Sequence, residues 1–275
     1  MTAIETERVP GAPVVPARHR WDTLERWSPA LLVLGLIAVW EAAVRLLDVP
    51  RFLLPAPSEI ALLARDEWPL IQMHGLSTIW SIASGYVSAV VFALAVSALM
   101  IRYPLLERLI MPIFVGLQSV QKIAIAPLIL VWVGAGLGSK ILVVASIAFF
   151  PIVINTMAGF KEVDRGLADV FRSVAASERQ MFLRLRLPYA MPYIFAGLRI
   201  ATTLSVLGAI VAEWLAASNG LGYLVLSGSF NFNTARSFAA IIALAIIGTA
   251  FFGLMSWIER LISWRVDSGD ATTQA

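Results

Sequence analysis

Six long apolar runs constrain this chain more than any other feature: roughly residues 29–47, 76–100, 107–133, 138–160, 191–216 and 238–262. A helix needs about 20 mostly apolar residues to cross a bilayer. The runs are continuous and do not alternate over ten-residue segments, so they favour a helical bundle over a β-barrel. Composition agrees, with 59% hydrophobic and 14% charged residues and a mean hydropathy of +0.80. The expectation is an all-α membrane protein of about six transmembrane helices. Its membrane domain spans residues 29–264, between an N-terminal tail (1–28) and a C-terminal tail (265–275). The first tail carries Pro10, Pro13 and Pro16 among Arg8, Arg18 and Arg20, and lacks the apolar core and small-residue cleavage site of a signal peptide. The chain has no cysteine, so disulfides and thiolate metal sites are excluded.

Lysine and arginine set the expected orientation, because cytoplasmic loops of membrane proteins are enriched in them. With a cytoplasmic N-terminus, the inside segments collect Arg8, Arg18, Arg20 and Arg26, then Arg102 and Arg108. They also hold Lys161, Arg165, Arg172, Arg179, Arg184 and Arg186, and finally Arg260 and Arg265. The outside segments hold only Arg51, Arg65, Lys140 and Arg236. Both termini are therefore expected in the cytoplasm. The net charge of +3 needs no nucleic-acid partner, since this bias and the lipid bilayer account for it.

A polar island, Lys161 to Pro188, interrupts the apolar sequence between the fourth and fifth runs. Leu167, Val170, Phe171 and Val174 stand at i, i+3, i+4 and i+7 and form one apolar helical stripe, with Asp169, Arg172 and Ser173 opposite. Glu162 and Asp164 precede this helix near its positive dipole end. A second helical segment is expected from about Ser177, broken by Pro188 and Pro192 on the way into the fifth span. The pattern alone fits docking into a groove on a soluble partner and fits equally an amphipathic helix lying on the headgroups.

The island reads Asp169-Val170-Phe171, three residues, Ala175, nine residues, then Leu185-Arg186-Leu187-Pro188. Its spacing resembles the EAA loop of ATP-binding-cassette (ABC) importer permeases, Glu-Ala-Ala, three, Gly, nine, Ile-x-Leu-Pro. Other segments from about Pro50 to Trp264 resemble permeases of the nitrate, sulfonate, taurine and bicarbonate type. These are Leu54-Pro55-Ala56-Pro57-Ser58, Ala126-Pro127-Leu128 with Val131-Trp132-Val133-Gly134, and Phe149-Phe150-Pro151-Ile152 with Asn155-Thr156. Ser139-Lys140-Ile141, Gly197-Leu198-Arg199, and Glu213 followed by Gly220-Leu221-Gly222 belong to the same set.

The resemblance implies a permease subunit of a bacterial inner-membrane ABC importer that moves a small polar or anionic solute. ATP and magnesium would be bound by separate cytoplasmic ATPase subunits, and an extracytoplasmic binding protein would deliver the solute to a permease homodimer. It assigns ATPase coupling to Asp169, Val170, Phe171, Arg172, Val174 and Ala175, and to the exit Leu187-Pro188 in the cytoplasmic loop between spans 4 and 5.

Lys122 stands beside Gln121, where relatives usually place a proline, and is more similar there to carriers of pyrimidine precursors or flavins. A lysine at that depth is costly unless it faces a cavity or partner, which makes it a candidate for the translocation path. Alternatively the span is shorter and Lys122 snorkels to water. Glu213, near the outer end of the fifth span, is by resemblance a gate candidate and by position an exposed helix-end carboxylate. Glu41 and Arg45, four apart, predict a local ion pair. His74, ahead of Ser77, Thr78 and Ser81, predicts a cap or interface role. Gly134, Gly136, Gly138, Ser139 and Lys140 lack the Gly-Lys-Ser/Thr order of a phosphate loop and predict a turn. No catalytic residue, cofactor site or metal site is expected in the chain. An ion-coupled secondary transporter is the alternative, disfavoured by the absence of a clear internal repeat. An intramembrane enzyme is disfavoured because His19 and His74 are its only histidines.

Overall fold

The computed structural model describes residues 21–118, 121–216 and 218–263. The expected N-terminal tail as far as residue 20, and the whole expected C-terminal tail, lie outside the described residues. Two compact units divide the chain at Val49. The first contains α1 (Trp21–Leu46), which covers the first apolar run and closes the predicted Glu41–Arg45 ion pair at 2.6 Å.

Among the described residues, every element of the second unit is helical. Its helices are α2 (Pro57–Asp66), α3 (Trp68–Arg102), α4 (Pro104–Gln118), α5 (Ala126–Val133), α6 (Leu137–Lys161), α7 (Arg165–Ser173), α8 (Glu178–Met181), α9 (Leu187–Ala216), α10 (Leu221–Phe230) and α11 (Thr234–Ser263). Among the described residues four helices are long and apolar enough to cross a membrane: Trp68–Arg102, Leu137–Lys161, Glu178–Leu215 and Thr234–Leu261. They coincide with the second, fourth, fifth and sixth runs.

The third run departs from expectation, because residues 107–133 are not one helix. α4 ends at Gln118, a 3-10 turn follows at Lys122–Ile125, and the eight residues of α5 complete the segment. Gln121 is extended (φ −65°, ψ 101°), and Pro127 sits in the first turn of α5, where its missing N–H is harmless. An apolar run reports hydropathy but not such a break.

Pro188 and Pro192 give the opposite correction. They do not break the chain, for helix continues from Glu178 through Ala216. A π-helical turn at Phe182–Arg186, immediately ahead of Pro188, widens the coil where the proline ring enters.

α6 is the centre of the bundle, packed against α9 on one side and α3 on the other. Tyr86, Ala89, Ala93 and Met100 of α3 meet Ala148, Ile152, Val153 and Met157 of α6 and Ala201 of α9 in one buried cluster. In lipid, apolar burial gives little reason for helices to associate, so close van der Waals approach does the work. Gly85 shows how close: a Cβ built there would lie 2.4 Å from the Val144 Cβ. Gly134 (φ 86°) turns the chain from α5 into α6, as its glycines predict.

Candidate functional site

The polar island forms a short helix at one end of α6. Asp164 caps α7, its Oδ1 accepting from the Leu167 N–H at 3.0 Å. Val170 is 57% and Val174 71% exposed, and Leu167 is exposed beside them. Phe171 is half-buried, so the valines are the more exposed part of the apolar stripe. Asp169 and Arg172 pair with each other at 2.7 Å on the exposed surface. Ala175 takes φ 54°, the left-handed region that favours glycine. Leu187 and Pro188 are half-buried at the start of α9. A cavity of about 470 Å³ behind α7 is lined by Glu107, Phe160, Lys161, Asp169, Arg172 and Arg186, among others. Lys161 crosses it to Glu107 at 2.7 Å.

A buried polar cluster occupies the other end of α6, roughly 30 Å away at 1.5 Å per residue. Its inner layer surrounds the start of α10. A helix N-terminus leaves backbone N–H groups without intrahelical acceptors, and Gly220, the residue preceding α10, has no side chain to cap them. Neighbouring helices supply the acceptors. Gly220 N–H donates to His74 Nδ1 at 2.9 Å, Leu221 N–H to Thr78 Oγ1 at 2.8 Å, and Gly222 N–H to Glu213 Oε2 at 2.8 Å. The Thr78 hydroxyl donates in turn to Glu213 Oε1 at 2.8 Å. The Glu213 carboxylate therefore sits at the positive end of the α10 dipole, where a negative charge is favoured.

The outer layer holds the chain that leads into α10. Lys140 Nζ donates to Asn219 Oδ1 at 2.6 Å and to the Asn219 backbone oxygen at 2.9 Å, and lies 3.4 Å from Ser77 Oγ. The Ser77 hydroxyl donates to the same Asn219 Oδ1 at 3.1 Å. Lys140 Nζ also stands 4.0 Å from Glu213 Oε1, linking the two layers by charge without a hydrogen bond. A cavity of about 470 Å³, lined by Ser77, Trp80, Gly136, Lys140, Ser218 and Asn219, opens beside this layer.

Several of these placements correct the sequence. Glu213 is not an exposed helix-end carboxylate, because its side chain is completely buried. Lys140, read with the preceding glycines as part of a turn, lies instead in the first turn of α6 and is 4% exposed. His74 holds the interface position expected of it. Lys122 begins the 3-10 turn, and its side chain lies outside what is described. Thr78 and Asn219 were not expected to matter. The signal available for them was Glu213 ahead of a glycine-flanked helix start, which leaves a buried carboxylate and free N–H groups in need of partners.

Apolar helices long enough to span a bilayer, with an exposed amphipathic helix between two of them, define an integral membrane protein of the helical-bundle class. The chain belongs to the family of inner membrane components of binding-protein-dependent transport systems, whose model matches residues 85–264. It is 35% identical over 240 residues to the formylaminopyrimidine transport permease protein ThiX of Halalkalibacterium halodurans, covering 86% of this chain and 96% of that protein. It is 33% identical over 260 residues to the riboflavin transport system permease protein RibX of Chloroflexus aurantiacus, covering 91% of this chain and 96% of the relative. The fold is similar to a chain of the MetNI methionine ABC transporter in an inward-facing conformation, with a TM-score of 0.61 and 20% identity over 71% of this chain and 97% of that one.

Proposed function

We propose that this chain, as the permease of an ATP-driven importer, couples to its ATPase through α7. The observation that carries the reading is the exposed Leu167, Val170 and Val174 stripe on a capped helix that joins two spanning helices. An apolar stripe beside an Asp169–Arg172 polar edge suits a groove with a charged rim on a soluble protein. The ATPases bind ATP and magnesium, two copies of the permease enclose the pathway, and an extracytoplasmic binding protein delivers the solute. Closure of the ATPases on ATP moves both α7 helices, and the rigid spans transmit that motion to the opposite end. Both termini face the cytoplasm, residues 29–264 form the permease domain, and the outer segments include the α9–α10 connection. Lys122 is the candidate residue for the pathway, and Glu213 acts at its outer gate.

The solute is a small polar or anionic molecule. The names of the two relatives support a pyrimidine- or flavin-type precursor, and the wider resemblance keeps sulfonate-, taurine- and nitrate-like solutes in the same class. Coupling is tested by co-purification of the tagged chain with the ATPase. Val170→Glu is the informative variant, because Val170 is 57% exposed whereas Phe171 is half-buried. Wild type is expected to retain the ATPase, and Val170→Glu to lose it while inserting normally. Equal retention, or none by either, returns the ion-coupled alternative.

A further inference from the structure

The two layers of the polar cluster differ in how they can be broken. In the inner layer, His74, Thr78 and Glu213 are all nearly inaccessible. Separating them from α10 would strand a buried carboxylate and free N–H groups with no water to replace the lost partners. The outer layer borders the 470 Å³ cavity; Asn219 is exposed and Ser77 half-buried, and Lys140, buried while Asn219 covers it, lines the same cavity. There water can take over each hydrogen bond as it opens, so parting the layer shifts an equilibrium by about tenfold per charge-assisted bond.

This layer also joins separate parts of the bundle: Ser77 on α3, Lys140 on α6, and Asn219 on the connection between α9 and α10. We infer that Ser77, Lys140 and Asn219 form a releasable latch at the end of the bundle remote from α7. The latch holds the start of α6 and the α9–α10 connection together in the resting permease. It opens when ATP binding drives the spans apart at that end, while the inner layer keeps α10 anchored to α9 and α3. Glu213 is then the fixed anchor of the outer gate, and Asn219 its moving contact. The inference rests on the ATP-driven permease reading.

The latch predicts opposite responses to two substitutions at one position, which a purely structural role would not give. In proteoliposomes holding the chain, its ATPase and its binding protein, Asn219→Ala removes both side-chain links. It should raise ATP hydrolysis in the absence of binding protein by about tenfold. Asn219→Asp places a carboxylate against the Lys140 ammonium and should lower hydrolysis and transport by a similar factor. Changes in the same direction, or no change in either variant, overturn the latch.

A covalent arm uses the natural absence of cysteine. Lys140→Cys with Asn219→Cys, bridged by a bis-thiosulfonate long enough to replace the lysine stem and verified by mass, should stop the transport that the unbridged double variant retains, and dithiothreitol should restore it. Undiminished transport by the bridged protein, or failure of the bridge to form, also overturns the proposal. Failure of wild type to bind any ATPase refutes the permease coupling itself. A functional wild type whose variants do not diverge refutes the latch alone.

Discussion

Gly220 shows at the scale of one residue how the buried cluster selects its sequence. Its φ of 114° lies where only glycine is at ease, and a Cβ there would stand 2.1 Å from Glu213 Cδ. Gly220→Ala therefore meets backbone strain and a steric clash together, and should destabilise the protein by about 3 kcal/mol. The check is thermal unfolding in detergent against Gly116→Ala, a site where an added Cβ meets nothing within 4 Å. Ala175 is the converse case. It occupies the left-handed region at φ 54° on the exposed end of α7, with a side chain that gains little from packing. Ala175→Gly should relieve that conformation and stabilise the loop by about 0.5 to 1 kcal/mol, less than the full left-handed cost because glycine is freer when unfolded. Slower amide exchange across residues 165–175 would show it.

Elements were legible in the sequence in proportion to how local their causes are. α3, α6, α9 and α11 follow from runs of apolar residues, and α7 from a stripe with Asp164 ahead of it, so both were readable without tertiary information. The break between α4 and α5 depends on an extended Gln121 inside an apolar run, which hydropathy averages away. The π turn before Pro188 was equally hidden, since proline signals a disturbance and the fold decides between a break and a wider turn. The polar cluster was least legible because its bonds span the chain: Thr78 and Glu213 are 135 residues apart, and Lys140 and Asn219 are 79 apart. Position along a span gave Glu213 its approximate depth but not its burial. At the element scale α7 makes its own prediction. Asp164→Ala removes the acceptor for the Leu167 N–H and should cost the helix about 1 kcal/mol. The exposed stripe is then presented by a frayed helix. ATPase retention should weaken without being abolished, read as faster dissociation of the ATPase from the immobilised permease.

At the scale of the whole molecule, α6 connects the two sites, with Lys140 at one end and Lys161 at the other. Ion pairs reinforce its surroundings and neighbours: Lys161 to Glu107, Arg199 to Glu259, and Arg236 to Glu67, the last bidentate through guanidinium nitrogens. These are partly exposed and salt-screened, and each contributes little. Lys140 and Glu213 differ, since both side chains are almost wholly buried and bring α6 and α9 together at the start of α10. The pair as a whole contributes less to stability than either charge costs when left alone, because two desolvation penalties offset its attraction.

Lys140→Met leaves the Glu213 carboxylate without a counter-charge and should lose about 3 kcal/mol. Glu213→Gln keeps oxygen and nitrogen near Thr78 and Gly222 but leaves the ammonium held only by Asn219 and Ser77. The double substitution removes both buried charges. It should recover a large part of the combined loss, giving a coupling energy of about 2 kcal/mol in a double-mutant cycle of detergent unfolding. Additive losses would show that the 4.0 Å separation is too long for the charges to act as a pair, and that each residue serves only its own hydrogen bonds. Recovery of stability without recovery of transport would assign the charges themselves to the transport cycle, since the fold would then be intact and the latch would lack the ammonium that holds Asn219.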